Sequence, residues 1–127
     1  MQGKQLFEYA LIRIVPLVER EEFFNAGVIV YVKRPAFLDM DFFIAPEKWN
    51  AFSNEVSLDE VESYLQSMKA ICRGNEQGGP IASLESASRF RWLTAWRSTI
   101  IQTSRVHPGF CEHPEQELRR LMEKMVL

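Results

Sequence analysis

Apolar runs rich in aromatic and β-branched residues fill much of the first third of the chain, and apolar positions recur at helical intervals over much of the rest. The run from Phe7 to Val15 is rich in Tyr, Ile and Val and free of turn formers, which predicts a strand. Phe7, Tyr9, Leu11, Arg13 and Val15 fall on one side of it, and Leu6, Ala10, Ile12 and Ile14 on the other. Both sides are mostly apolar, so the strand is covered over at least part of each face. Pro16 has no N–H to give and ends the ladder. A solvated turn, Glu19-Arg20-Glu21-Glu22, leads to a second strand from Phe23 to Val32, with Asn25-Ala26-Gly27 marking a bulge near its start. Leu38, Met40, Phe42 and Ile44 then alternate with Asp39 and Asp41, a third strand. The short link from Lys33 to Phe37 makes it the antiparallel neighbour of the second.

The period changes after Pro46. Pro46 to Phe52 predicts a short helix with Trp49 and Phe52 inward. Ser57-Leu58-Asp59-Glu60 has the spacing of a capping box, and Leu58, Val61, Leu65, Met68 and Cys72, joined by Tyr64 and Ile71, form the apolar stripe of the helix that follows. Gly74 supplies a left-handed cap, and Asn75 to Pro80 reads as a surface loop. Ser83 to Trp96 predicts a helix with Leu84, Ala87, Phe90 and Leu93 on one face, widened by Trp92 and Trp96. Thr99 to Ser104 reads as a fourth strand, and Pro108-Gly109 as a turn. His113-Pro114-Glu115 starts a closing helix buried through Leu118, Leu121, Met122 and Met125. Strands first and helices later imply an α+β fold, an antiparallel sheet of about four strands with helices packed on one face, in a single domain over residues 1–127.

Composition narrows the function classes. Fifteen Lys and Arg against 17 Asp and Glu give a formal net charge of −2, which argues against broad non-specific binding to nucleic acid. No apolar run is long enough to span a membrane, and the start, Met1 to Gln5, lacks the hydrophobic region of a secretory signal. Cys72 and Cys111 fit no disulfide or metal spacing. These features predict a cytoplasmic protein with two free thiols, no membrane association, no cofactor and no resident metal.

One segment stands out chemically. From Ser86 to Cys111 there is no Asp or Glu, while Arg89, Arg91, Arg97, Arg105 and His107 alternate with Phe90, Trp92 and Trp96. Arginine recognises phosphate and carboxylate bidentately and stacks on rings, so the segment suits a nucleotide, a single strand or an acidic peptide. The structural alternative has Trp92 and Trp96 as core anchors and the arginines paired with Glu47, Glu55 or Glu60. Arg97-Ser98, where helix hands over to strand, is the sharpest candidate for a ligand contact. Arg13 in mid-strand is either an anion-binding side chain or a snorkelling one paired with Glu21 or Glu22. Asp39 and Asp41 share a face without a third ligand nearby. His107, Cys111 and His113 match no zinc pattern, and a hydrolase built on Arg97, Ser98 and His107 lacks diagnostic context.

The aromatic first strand, Arg13-Ile14-Val15-Pro16, the acidic turn and Asn25-Ala26-Gly27-Val28 together resemble a bacterial domain-of-unknown-function family, the one numbered 3037. So do Phe90-Arg91-Trp92-Leu93, Arg97-Ser98 with Gln102 and Ser104, and a short closing helix after a Pro-Gly loop. The resemblance covers nearly the whole chain, with one departure: Glu21-Glu22 stands where the family pattern has an Arg-Gly-Glu type of turn. It implies an accessory protein encoded beside a kinase-like protein of the HipA type, and no chemistry. With no catalytic set in view, the expectation is a small non-enzymatic module that binds a partner protein or a second copy of itself. The alternative is nucleic-acid or nucleotide binding through Arg89, Arg91, Trp92, Arg97, Ser98 and Arg105, and a hydrolase stands third.

Overall fold

Two long strands set the frame. In the computed structural model, which describes residues 3–52, 56–95, 97 and 99–127, β1 (Gln5–Ile14) and β2 (Phe24–Val32) pair antiparallel. Ile12 lies opposite Gly27 and Arg13 opposite Asn25, so Ala26 is the extra residue of a bulge where the Asn25-Ala26-Gly27 run predicts one. β3 (Phe37–Phe42) adds to the far side of β2. Along its other side β1 carries two short strands end to end. β4 (Ile101–Thr103) pairs with Ile12 to Ile14, and β5 (His107–Cys111) pairs with Gln5 to Tyr9. Ser104 joins them: its N–H donates to the Leu11 carbonyl at 2.8 Å, and its Oγ accepts from the Leu11 N–H at 2.8 Å. The chain can therefore kink between β4 and β5 without orphaning the Leu11 backbone.

Among the described residues the sheet is antiparallel throughout and has five strands rather than about four. The added strand is β5, and the expected turn at Pro108-Gly109 lies inside it. β5 pairs only with β1, so Pro108 sits on an edge strand, where a missing N–H is tolerated. Gly109 lies opposite Phe7, and a Cβ there would come within 2.7 Å of the Phe7 ring. Glycine is what lets that ring cross the strand into the core.

Among the described residues four α-helices cover the sheet: α1 (Pro46–Ala51), α2 (Leu58–Arg73), α3 (Ser86–Leu93) and α4 (Pro114–Met125). α2 starts as its capping sequence dictates, with Ser57 Oγ accepting from the Glu60 N–H at 3.1 Å, and ends at Gly74 with φ 70°. The α+β class holds, but the helices do not share one face. Ala10, Ile12, Ile29, Tyr31 and Met40 pack against Val61, Leu65 and Ile71 of α2 and Phe90 and Leu93 of α3. Phe7, Val28, Val30 and Val32, on the opposite face by strand alternation, pack against Leu118, Leu121 and Met122 of α4 and Val126 beyond it. Each of these large side chains contributes about 1.5–3 kcal/mol on burial, so a sheet apolar on both faces needs cover on both.

The expected surface loop after Gly74 is instead a 3-10 helix, Glu76–Ser83, kinked at Gly79. Ala82 is buried and Ile81 packs on the α2 core, which ties the segment down. α3 is also shorter than expected, and Leu84 before it is exposed. No helix among the described residues is long and apolar enough to cross a membrane.

Candidate binding cleft at the helix-to-strand corner

α3 ends at Leu93, and Thr94 turns the chain by donating its Oγ1–H to the Phe90 carbonyl at 2.8 Å. Thr103 Oγ1 donates back to the Thr94 carbonyl at 3.3 Å, tying the corner to β4. Between α2, this corner and β4 lies a cleft of about 430 Å³. Tyr64 and Met68 line it from α2, Trp92 and Arg97 from the end of α3, and Ile100 and Gln102 from the approach to β4 and from β4 itself. Among the described residues no carboxylate lines it, and Arg97 is the single cation that does. Trp92 is 40 % exposed and Tyr64 is 64 % exposed, large rings facing the opening rather than the core. The structural alternative that made Trp92 a core anchor therefore does not hold. Arg97 lies over Trp92, its guanidinium carbon 4.2 Å from the ring centroid, and its Nη2 donates to the Trp92 carbonyl.

The other candidate residues disperse. Arg89 turns inward: Nη1 donates to the carbonyls of Ile71 at 2.8 Å and Cys72 at 2.7 Å, and Nε donates to that of Leu84 at 2.9 Å. It thereby satisfies the C-terminal end of α2, where free carbonyls attract a cation. Arg91 leaves on another side of α3 and meets Glu8 of β1 at 3.3 Å, not Glu47 or Glu60. Arg105 is exposed on the link between β4 and β5. Arg13 stands over the Phe23 ring at 4.1 Å rather than pairing with Glu21 or Glu22, and Arg20 takes Glu22 at 2.6 Å. Trp96, Ser98 and Glu55 lie outside the described residues, so the readings placed on them have no geometry here.

The catalytic and metal alternatives find little support in this arrangement. His107 packs against Tyr9, ring centroids 5.3 Å apart, four residues along β1 from the Arg13–Gln102 pair and so about 13 Å away. His107 and the cleft that holds Arg97 thus lie at different places along the sheet. Cys111 is buried in the α4 core, and His113 is the residue that precedes α4. No group of three or more His, Cys, Asp or Glu suited to a metal occurs among the described residues. Burial, then Asp39, pushes the Cys72 thiol up to about 12, and burial raises that of Cys111, so both are neutral side chains of two separate cores.

Both sheet edges are blunted. Phe43 N–H reaches back to the Ala26 carbonyl at 2.7 Å, so by alternation the Phe42 and Met40 N–H groups point away from β2. Asp41 Oδ1 accepts from Phe42 N–H at 3.0 Å, and Asp39 Oδ1 from Met40 N–H at 2.9 Å. Lys69 and Arg73 of α2 lie 3.7 and 3.6 Å from the same carboxylates. The two aspartates that alternation puts on one face are therefore caps of an edge strand. The opposite edge carries Pro108. Strand addition is disfavoured at both.

Over residues 9–126 the chain matches the family described as protein of unknown function (DUF3037). No curated protein and no solved structure matches it.

Proposed function

Since the chain belongs to the DUF3037 family, whose description assigns no activity, we propose from its geometry that it is a non-enzymatic binding module for a partner protein. The partner inserts an apolar side chain into the cleft between α2, the end of α3 and β4, and sets a neighbouring carboxylate against Arg97. The observation that carries this reading is the cleft itself, with exposed Tyr64 and Trp92 at its mouth and one arginine unopposed by any acid among the described lining residues. Aromatic and arginine side chains around a desolvated pocket are the groups that dominate protein–protein affinity. The blunted edges support docking at the helices over strand addition, including with a second copy.

The first partner to test is the kinase-like protein that the family resemblance leads one to expect beside a bacterial member. Two buried thiols unpaired with each other favour a reducing, cytoplasmic setting for the pair. Titration calorimetry of that complex, with Tyr64→Ala and Arg97→Ala, tests the cleft. Each substitution is expected to weaken binding about 10-fold or more, in line with the loss of one interface anchor. Absence of any complex, or a complex indifferent to both substitutions, overturns the reading. A nucleic-acid surface is less favoured, because Arg89, Arg91, Arg97 and Arg105 do not share one face.

A further inference from the structure

A second cleft, of about 470 Å³, lies on the same face of the sheet at the other end of β1. Its floor is Leu6 and Tyr31, with Ala87 of α3 above, and Tyr31 is fixed by stacking on Phe90 at 4.9 Å. Lys33, Arg34 and Arg91 line it, against one carboxylate among the described residues, that of Glu8. Lys33 and Arg34 form no ion pair among the described residues, and Arg91 holds Glu8 only at 3.3 Å, with most of its side chain exposed. In a chain of net charge −2 this is a local excess of positive charge. Beside it, Leu6 pairs directly with Phe110 of β5, so the two share a face, and they are 56 % and 64 % exposed. An open aromatic platform thus adjoins a cationic cleft of the size that takes a small ligand.

We infer that this cleft binds a nucleoside phosphate, its base lying on Leu6 and Phe110 and its phosphates between Lys33, Arg34 and Arg91. Arginine and lysine from two elements supply the charge and fork geometry for phosphate, and the ring supplies a π-face that any base can stack on. Glu8 pairs with Arg91 and yields it to the ligand. This site is independent of the partner cleft, which shares none of its lining residues.

The test is calorimetric titration of the full chain with ADP at low ionic strength, with adenosine as the phosphate-free control. ADP is expected to bind, adenosine at least 10-fold more weakly, and added salt to weaken ADP alone. Lys33→Ala and Arg91→Ala should each reduce ADP affinity about 5-fold or more, and Phe110→Ala should weaken both ligands. Glu8→Gln should tighten ADP several-fold by freeing Arg91, a gain that a purely structural Glu8–Arg91 contact would not give. Lys33, Arg91 and Phe110 are exposed and Glu8 is half-buried, and an unchanged melting temperature in each variant separates lost binding from lost fold. No ADP binding at low salt, equal affinity for adenosine and ADP, or ADP binding unmoved by Lys33→Ala and Arg91→Ala overturns the inference.

Discussion

Replacing Arg89 with alanine should destabilise the protein without touching either cleft. The guanidinium satisfies the Ile71 and Cys72 carbonyls at the end of α2 and the Leu84 carbonyl before α3, so it fastens two helices and the 3-10 segment between them. A hydrogen bond from a charged donor is worth about 1.5–3 kcal/mol when buried, and the helix-end cation about 0.3–1 kcal/mol. The bond to Leu84 is on the solvent side, and the freed carbonyls regain some water. Counting the two inner bonds at the low end gives a loss of about 3 kcal/mol. For 127 residues the unfolding entropy is about 0.27 kcal/mol/K, so the melting temperature should drop by about 11 °C. Arg89→Lys keeps the charge but loses the fork and should fall about halfway. Arg97→Ala is the contrast: it gives up an exposed stack on Trp92 and an exposed hydrogen bond to the Trp92 carbonyl, together about 1 kcal/mol, and should shift melting by only about 4 °C. Calorimetric melting of the three variants decides the matter. An Arg89→Ala protein melting within about 2 °C of the parent would refute the structural role and return Arg89 to the pool of ligand contacts.

Three further outcomes rest on the edge strand and the buried thiol. Asp39→Ala with Asp41→Ala removes the caps on the Met40 and Phe42 N–H groups and should produce concentration-dependent association by light scattering, whereas the Asn pair, which keeps an acceptor oxygen, should not; identical masses for all three would refute edge protection. Cys72 should resist thiol reagents at pH 8 until the chain is unfolded, and its rapid labelling in the native state would contradict its place in the core. The same thiol gives an alkaline signature. Its folded value of about 12 lies above the ordinary 9.0, so above about pH 9 the unfolded chain gives up this proton first. Stability contributed by this group should then decline by about 1 kcal/mol per pH unit, a slope reduced in Cys72→Ala.

Much of the fold is legible because local chemistry and tertiary demand agree. The Asn25-Ala26-Gly27 bulge, the Ser57 cap and the Gly74 stop are local signals, and each appears where its residues require. The helix placement was recoverable by a longer argument. Phe7, Val28, Val30 and Val32 make one face of the β1–β2 pair as apolar as the other, and α4 is the remaining stripe that could cover it. β5 was hidden because Pro-Gly is an ordinary turn pair, and only the partner strand shows why it works at an edge. Trp92 was ambiguous for a different reason: a tryptophan at helical spacing fits a core or an open rim equally, and what decides between them is where the neighbouring helix α2 stops packing.

The dispersal of the arginines was also written in their spacing. Arg89 and Arg91 are two residues apart on a helix, hence about 200° apart around its axis, and cannot share a face. One faces the end of α2 and the other faces β1, while Arg97 lies past the helix end at the apolar cleft. A segment that reads as one basic patch is thus three devices, a helix fastener, a member of a cationic cleft and the rim of an apolar one. This division gives loss-of-binding data a definite meaning. Trp92 and Arg97 report on the corner cleft, Arg91 and Lys33 on the far one. A ligand weakened by substitutions in both sets would have to bridge α3, a span that neither a single inserted side chain nor one nucleotide needs.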